Sequence, residues 1–402
     1  MKAVFEPKTG HGVYSAVPSK SLSHRALLAA ALTKGVSKIV PVSHSEDVSR
    51  TVDCLQRLGA QITETEDGVM VFGFSPEEIF EGVELFCGES GSTLRFLIPL
   101  VLLSGKTVAF HGEGRLLERP LSVYEKLAKE RDFLFEHGEN SLTVRGNLEP
   151  GDFSLSGNVS SQFATGFFFA LPLLAGDSRV LFSEKPESDP YLDLTIEVLA
   201  RFGIRITKVS ETEYFIAGGQ EYRRADCFVE GDESNAAFFA ALEALGSDIR
   251  IEGLSPDTKQ GDRVYPSAVK ALCEGFSTID LADCPDLGPV LFALAAAKNG
   301  ARFQNVRRLR LKESDRVAAM AEELPKFGAA VSATENEAVV TPGLSRPTEP
   351  LFSHGDHRIA MALSVLLTKT GGELWGAECV SKSDPDFFAS LRRLGFAVNL
   401  RP

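Results

Sequence analysis

The chain has 402 residues, of which 44% are hydrophobic and 24% are charged, a composition typical of a globular protein large enough for two domains. Its net charge of −13 makes it a poor general binder of nucleic acid, because such binding requires broad neutralisation of phosphates. If the protein handles anionic ligands, its cations must be concentrated in one site.

The sequence predicts neither a signal peptide nor a membrane span. Residues 1–5 lack the basic stretch followed by an apolar run that marks a secretory signal. The longest apolar runs, residues 96–103 and 164–175, fall short of the roughly 18 residues that a span requires. We therefore expect a cytoplasmic protein that does not associate with membranes.

The cysteines predict no disulfide framework and no metal site. The six residues are scattered, without a CxxC pair or a close Cys/His cluster. We expect buried or idle thiols and no bound metal.

A helix-like stretch that ends at a glycine and leads into two short strands recurs along the chain. The glycine stands at Gly59, Gly203, Gly328 and Gly395, where it can adopt the left-handed conformation that stops a helix. Gly328 and Gly395 are 67 residues apart, which is one sixth of the 402-residue chain. A fixed period predicts about six similar units, although such helix–glycine–strand pieces also occur in any α/β protein.

Several segments of the first half combine hydroxyls, glycines and cations just before a predicted helix. They are residues 18–25 (PSKSLSHR), 88–95 (GESGSTLR), 118–120 (ERP), 160–163 (SSQF) and 187–191 (ESDPY). Serines cap helix N-termini, and that end of a helix attracts anions. Each segment taken alone is equally typical of a capped helix with surface charges.

The second half contains segments rich in both carboxylates and cations. They are residues 230–238 (EGDESNAAF), 283–287 (DCPDL), 309–316 (LRLKESDR), 355–361 (GDHRIAM) and 381–388 (SKSDPDFF). If residues 309–316 are helical, Lys312 and Arg316 are four residues apart and share one face. The alternative for this segment is a solvated helix with surface salt bridges. Asp356 is expected to cap the apolar helix that follows it.

In this order, the segments resemble the motifs of the 5-enolpyruvylshikimate-3-phosphate synthase family of enolpyruvyl transferases. Residues 17–25 are similar to the family's P-G-S-K-S-x-S-N-R, with Val17-Pro18 in place of Pro-Gly. Residues 310–316 are similar to its R-x-K-E-[ST]-D-R, and residues 356–361 to its D-H-R-[IM]-A-M. The motifs together extend from residue 18 to residue 388. His24, Glu89 and Asp384 depart from the family pattern, which has asparagine, asparagine and an aromatic residue there.

The resemblance implies an activity and a set of site residues. The enolpyruvyl group of phosphoenolpyruvate would be transferred to the 5-hydroxyl of shikimate-3-phosphate with release of phosphate, and no cofactor or metal would be needed. The residues implied in catalysis are Lys20, Asp286, Glu313 and His357. Those implied in binding shikimate-3-phosphate are Lys20, Ser21, Arg25, Ser160, Ser161, Gln162, Ser188, Tyr191, Asp286 and Lys312. Those implied in binding phosphoenolpyruvate are Lys20, Gly91, Arg95, Arg119, Gln162, Arg316, Arg358 and Lys382.

The family fold implies an α/β (α+β) architecture, a two-domain inside-out α/β barrel built from six repeated helix-and-strand units. One domain would comprise residues 1–16 and 229–402, the other residues 17–228, with the active site in the cleft between them. We expect a monomer whose only partners are the two small-molecule substrates.

Two alternatives remain for the function. The sister enzyme that acts on UDP-N-acetylglucosamine shares the fold and the donor, but it typically carries a reactive cysteine on a mobile loop and an N-terminal lysine–asparagine pair, whereas Lys20 is followed by Ser21. A non-catalytic anion-binding homologue would be expected to have lost Lys20, Asp286, Glu313 or Arg358.

Overall fold

The computed structural model describes residues 1–402. The chain forms two compact units. Unit 1 comprises residues 1–17, 44–46 and 231–402, and unit 2 comprises residues 18–43 and 47–230.

The chain contains twelve α-helices and twenty-two strands. The helices are α1 (Lys20–Ala31), α2 (Glu46–Arg57), α3 (Gly91–Val101), α4 (Ser122–Arg131), α5 (Ser161–Ala170), α6 (Asp189–Arg201), α7 (Glu233–Ala244), α8 (Tyr265–Glu274), α9 (Gly288–Ala297), α10 (Arg316–Glu323), α11 (His357–Thr370) and α12 (Phe387–Arg393). The strands are β1 (Lys2–Glu6), β2 (His11–Ser15), β3 (Val36–Val40), β4 (Gln61–Glu64), β5 (Val69–Phe72), β6 (Val83–Phe86), β7 (Val108–His111), β8 (Leu134–His137), β9 (Ser141–Arg145), β10 (Asp152–Leu155), β11 (Ser178–Phe182), β12 (Ile206–Lys208), β13 (Glu213–Ile216), β14 (Cys227–Phe228), β15 (Asp248–Glu252), β16 (Ser277–Asp280), β17 (Ala301–Gln304), β18 (Ala330–Ala333), β19 (Glu337–Thr341), β20 (Leu351–Phe352), β21 (Gly372–Trp375) and β22 (Ala397–Arg401). Short 3₁₀ helices occupy Pro76–Glu78, Leu116–Glu118, Leu171–Leu173, Gly261–Val264, Pro285–Leu287, Arg307–Leu311, Leu324–Phe327 and Ala377–Lys382.

Five of the six sheets have one topology, which confirms the predicted repeat. In each, an edge strand pairs in parallel with the second strand, and the remaining pairs are antiparallel. The strand orders are β14-β3-β5-β4, β6-β7-β9-β8 and β10-β11-β13-β12 in unit 2, and β16-β17-β19-β18 and β20-β21-β1-β22 in unit 1. The sixth sheet, in unit 1, is reduced to the parallel pair β2 and β15.

The four repeat glycines all have positive φ angles, of 117° at Gly59, 83° at Gly203, 91° at Gly328 and 89° at Gly395. Such angles are costly for residues with a Cβ atom, so the recurring glycine has the conformational role that the sequence predicts. Each of these glycines directly precedes a strand of a repeated sheet or lies within three residues of one.

Each unit encloses its own hydrophobic core around helices that are buried on nearly every side. These helices are α1, α3 and α5 in unit 2 and α7, α9 and α11 in unit 1. In unit 2, α3 packs against α5, and in unit 1, α9 packs against α11. The strands alternate between buried and more exposed residues, as in β9 and β19. The central helices therefore lie inside each unit and the sheets present an outer face, as the inside-out architecture requires.

Asp384 in unit 1 places a carboxyl group in a buried position, where the family pattern has an aromatic residue. Only 1% of its surface is exposed. Its Oδ1 atom accepts a hydrogen bond from the Asp386 amide at 3.1 Å, whereas Oδ2 has no partner. Burial, together with the nearby carboxylates of Asp386 and Asp232, raises the pKa of Asp384 to about 7, against the opposing effects of the amide and Arg393.

The substitution Asp384→Asn should remove a pH-dependent loss of stability. In the unfolded chain this carboxyl ionises near pH 3.9 (about the reference value), whereas the folded protein retains its proton up to about pH 7. Wild-type stability therefore falls as the pH rises between these values. We expect Asp384→Asn to raise the midpoint of urea unfolding at pH 8 and to raise it much less at pH 4.5. Equal effects at both pH values would contradict a raised pKa for Asp384.

Candidate active site

Three of the predicted binding motifs of unit 2 lie at the N-terminal ends of its three buried helices. Ser19 caps α1 and Ser90 caps α3, where their side chains accept hydrogen bonds from the amides of Leu22 and Thr93. Ser160 caps α5 and accepts from the amide of Gln162 at 3.3 Å. The unpaired amides and the dipole at such ends favour anions.

The first group of site residues in unit 2 converges on Gly91. Arg95 Nη1 donates to Gln162 Oε1 at 2.8 Å, and Gln162 Nε2 donates to Ser92 Oγ at 2.9 Å. A Cβ atom at Gly91 would lie 2.7 Å from Arg95 Nη1 and 3.2 Å from Arg119 Nη1. Both guanidinium groups therefore lie against a backbone position without a side chain, at the N-terminal end of α3.

The second group in unit 2 is organised by Arg25, which is buried. Arg25 Nε donates to Thr195 Oγ1 at 2.8 Å, and its Nη1 and Nη2 atoms donate to the carbonyls of Ser21 and Tyr191 at 2.8 and 3.3 Å. Burial lowers the pKa of Arg25 to about 10, so that it remains cationic at neutral pH. The neighbouring Ser188 adopts a φ of 61°, and its carbonyl accepts from the Tyr191 amide at the start of α6.

Lys20 has a carboxylate partner within unit 2. Its Nζ atom lies 2.8 Å from Asp47 Oδ2, and both side chains are largely shielded from solvent. The remaining unit 2 residue, Ser161, is buried at the first position of α5. All the unit 2 residues implied by the motifs thus lie at or beside the starts of α1, α3, α5 and α6.

In unit 1, the site residues surround Arg316, of whose side chain only 1% is exposed. Arg316 donates to Asp286 Oδ1 at 2.7 Å, to Glu313 Oε2 at 2.8 Å and to Asp356 Oδ2 at 2.8 Å. Lys312 Nζ lies 3.1 Å from Asp286 Oδ1. Two cations and three carboxylates therefore form one cluster around a buried guanidinium group.

The helical interpretation of residues 309–316 is wrong. A 3₁₀ helix ends at Leu311, Lys312 is extended, and α10 begins only at Arg316 with Asp315 as its cap. Because the chain turns between them, Lys312 and Arg316 meet at Asp286 rather than along a helix face. The expected cap at Asp356 is confirmed, since its Oδ1 accepts from the Arg358 amide at 2.9 Å.

The charges of this cluster control its ionisation. Burial alone would raise the pKa of Asp286, but the cations of Lys312, Arg316 and Arg358 outweigh it and hold that pKa well below the usual range. Burial lowers the pKa of Lys312, and Asp286 only partly offsets this effect. Asp286 is therefore a carboxylate at neutral pH.

The charge of Arg358 acts on the nearby carboxylates of Asp286 and Asp262, but two of its nitrogen atoms lack the hydrogen-bond acceptors that Arg316 has. Arg358 is 2% exposed, and its Nε and Nη1 atoms are buried without a hydrogen-bond partner. Its guanidinium carbon lies 5.8 Å from the centre of the Phe238 ring. Since buried donors without an acceptor are costly, this side chain is suited to receive an anion.

His357 and Lys382 also lie beside the Asp356 turn. His357 is 2% exposed at the first position of α11. Lys382 Nζ donates to the carbonyl of Gly355 at 2.7 Å.

Four further polar residues support these groups, although none of them was among the predicted site residues. Asp47 and Thr195 orient Lys20 and Arg25, and Asp356 orients Arg316 as well as capping a helix. Asp262 is fully buried, and its pKa is raised to about 6 by burial and by the charge of Asp286. Only Asp356 lies within a motif. The other three are distant in sequence from their partners, so no local pattern could have found them.

Comparison with known proteins identifies the family. The sequence profile of EPSP synthase (3-phosphoshikimate 1-carboxyvinyltransferase) matches residues 8–391. The chain belongs to the EPSP synthase family. It is 41% identical to the 3-phosphoshikimate 1-carboxyvinyltransferase of Clostridium kluyveri, over 95% of this chain and 94% of the relative. It is 38% identical to that of Clostridium beijerinckii over 94% of each.

Solved structures agree on the fold. EPSP synthase from Acinetobacter baumannii superposes with a TM-score of 0.78 over 99% of each chain, at 21% sequence identity. As a member of the EPSP synthase family, the chain is an enzyme of the shikimate pathway that transfers the enolpyruvyl group of phosphoenolpyruvate to shikimate-3-phosphate. None of its helices combines the length and the apolar character required to cross a membrane.

Gly91→Ala should weaken the binding of phosphoenolpyruvate if its site is the Arg95 and Arg119 group. The added Cβ would displace Arg95 Nη1, which lies 2.7 Å from its position. We expect KM for phosphoenolpyruvate to rise about tenfold or more, equivalent to about 1.4 kcal/mol, and KM for shikimate-3-phosphate to change far less. Steady-state kinetics of phosphate release measures both constants.

Gly275→Ala is the matched control, because a Cβ there meets no atom within 4 Å. Its kinetics should equal those of the wild type. An unchanged KM for phosphoenolpyruvate in Gly91→Ala would place that ligand elsewhere.

Proposed function

We propose that the residues gathered in the two units act on the same pair of substrates. In unit 2, Gly91, Arg95, Arg119 and Gln162 bind phosphoenolpyruvate, and Arg316, Arg358 and Lys382 of unit 1 bind it as well. Shikimate-3-phosphate is bound by Lys20, Ser21, Arg25, Ser160, Ser161, Gln162, Ser188 and Tyr191 of unit 2, and by Asp286 and Lys312 of unit 1.

The observation that carries this proposal is the buried Arg358 with two unpartnered nitrogen atoms. A guanidinium that the protein itself leaves without an acceptor provides a planar fork for a carboxylate or phosphate. The other cations assigned above strengthen the attraction for these anionic groups. The two substrates carry two phosphates and two carboxylates, so a concentration of cations in an otherwise acidic chain matches their charge.

The reaction proceeds by addition and then elimination. The 5-hydroxyl oxygen attacks C2 of phosphoenolpyruvate while C3 gains a proton, which gives a tetrahedral ketal phosphate. The bond from C2 to the phosphate oxygen then breaks, phosphate leaves, and C3 loses a proton to restore the double bond. The buried cations stabilise the charge that develops on the phosphate and carboxylate oxygens.

Glu313 is our candidate for proton transfer at C3. Its Oε2 atom is fixed at 2.8 Å from Nη2 of the buried Arg316, and its side chain is 13% exposed. A carboxyl group that is held in one position and reached by little water is suited to exchange a proton with a neighbouring carbon.

Asp286 is our candidate for orienting the 5-hydroxyl. Because its pKa is held well below the usual range by the surrounding cations, it remains an acceptor for the hydroxyl proton throughout the neutral range. We assign Lys20 to the leaving phosphate and to the 5-hydroxyl, and His357 to proton handling beside Arg358.

The competing enolpyruvyl transferase activity receives no support from the cysteines. Cys87 and Cys284 are 0% and 3% exposed. Burial raises the pKa of Cys284, and the neighbouring Cys54 together with burial raises that of Cys87. Neither thiol has the exposure or the thiolate character of a reactive residue. We also expect the enzyme to act as a cytoplasmic monomer without metal or cofactor.

Glu313→Gln tests the assignment of the proton transfer. The amide preserves the size of the side chain and its contact with Arg316 through oxygen, but it cannot accept or donate the catalytic proton. We expect kcat to fall by a factor of about 100 or more, on the scale of acid–base contributions, while both KM values change little. Turnover near that of the wild type would remove Glu313 from the mechanism.

A further inference from the structure

A continuous chain of buried hydrogen bonds in unit 2 links α1 to the start of α3. His24 Nδ1 lies 2.7 Å from Thr51 Oγ1, and Thr51 Oγ1 lies 2.7 Å from Thr93 Oγ1. Thr93 Oγ1 donates to Ser90 Oγ at 2.7 Å. All four residues are at most 2% exposed. None of them contacts a substrate in the assignment above, and His24 replaces the family's usual asparagine.

The direction of these bonds follows from the number of protons. Each hydroxyl has one proton, and that of Thr93 is directed to Ser90. Thr93 must therefore accept from Thr51, whose other acceptor, the Asp47 carbonyl, is more distant at 3.5 Å. With its proton committed to Thr93, Thr51 must accept from His24, so His24 carries its proton on Nδ1.

Two further observations agree with this tautomer. His24 Nε2 is buried without a hydrogen-bond partner, as expected for the nitrogen that has no proton to donate. Burial, reinforced by the charges of Lys20 and Arg25, lowers the pKa of His24 well below its usual value. The imidazole is therefore neutral across the physiological range.

The chain of bonds ends at the cap of the helix that carries the anion-binding loop. Ser90 Oγ accepts from the Thr93 amide as well as from the Thr93 hydroxyl. This double contact fixes the first turn of α3, to which Gly91, Ser92 and Arg95 belong. Helix α2 provides two of these contacts from positions one turn apart. Asp47 accepts a hydrogen bond from Lys20, and Thr51 forms a hydrogen bond with Thr93.

We propose that His24 is a positioning residue, whose Nδ1–H orders Thr51, Thr93 and Ser90 and thereby fixes the first turn of α3 for phosphoenolpyruvate. The proposal rests on the assignment of Gly91 and Arg95 to that substrate. His24 itself touches no reacting atom and transfers no proton. Its effect is to reduce the number of conformations that the loop must lose when the ligand binds.

Paired substitutions test this role through kinetics. His24→Leu removes the donor, whereas His24→Asn places an amide N–H near the position of Nδ1. Thr51→Val removes the hydroxyl and keeps the shape, whereas Thr51→Ser keeps the hydroxyl. We expect KM for phosphoenolpyruvate to rise about fivefold in His24→Leu and in Thr51→Val, the effect of about one hydrogen bond, with a much smaller change in KM for shikimate-3-phosphate.

The conservative variants and the double variant complete the kinetic test. His24→Asn and Thr51→Ser should remain within about twofold of the wild type, since each retains a hydrogen-bonding group. Because the two residues belong to one chain of bonds, His24→Leu combined with Thr51→Val should be little worse than either single variant. Additive effects of the two substitutions, or an unchanged KM in both, would overturn the proposal.

Two measurements without substrate separate this proposal from the substrate assignment. Nitrogen-15 NMR of the wild-type enzyme should show His24 as the neutral Nδ1–H tautomer at neutral pH, and an Nε2–H tautomer would overturn the proposal even if no variant folds. Amide hydrogen exchange of residues 91–95 should be faster in His24→Leu than in His24→Asn, and equal rates would contradict a positioning role. If these results hold while Gly91→Ala leaves KM unchanged, the substrate assignment fails and the hydrogen-bond chain stands.

Discussion

A cation removed from water is costly unless hydrogen-bond acceptors or carboxylates surround it, and this constraint shapes the groups of residues in each unit. Arg316 is 1% exposed and is tolerated there because Asp286, Glu313 and Asp356 accept its hydrogen bonds. Arg25 is held by a hydroxyl and two backbone carbonyls, which satisfy its donors without neutralising its charge. Arg358 has Asp286 and Asp262 nearby, but its Nε and Nη1 atoms have no hydrogen-bond acceptor. The protein thus supplies hydrogen-bond acceptors for most of its buried cations, while some donors of Arg358 are left to bind a ligand.

The fold brings the N-terminal ends of buried helices to positions where cations can help to bind anions. Six buried helices are enclosed by sheets that repeat one topology, so their ends are the parts of the core that polar groups can reach. Five of the six N-terminal ends carry side-chain caps, at Ser19, Ser90, Ser160, Asp232 and Asp356. An acidic chain with a net charge of −13 can therefore still bind anions, because helix ends and guanidinium groups act locally.

The sequence predicted local features well and long-range partners poorly. The helix caps and the six-fold repeat were predictable, because a serine or aspartate before an apolar run and a glycine after one have local physical causes. The turn at Lys312 was not, because its geometry is set by Asp286, 26 residues earlier in the sequence. The partnership of Arg25 with Thr195 joins two helices 170 residues apart, and no periodicity indicates it. The burial of Asp384 also had no local indication, since the segment around it is polar.

The central claim is that both sets of residues serve one transfer between two anionic substrates. The most direct measurement is the release of phosphate from phosphoenolpyruvate by the purified enzyme, with shikimate-3-phosphate present, omitted, or replaced by UDP-N-acetylglucosamine. The account predicts rapid release only when phosphoenolpyruvate and shikimate-3-phosphate are both present. Release that does not depend on shikimate-3-phosphate, or no release with both substrates, would contradict it.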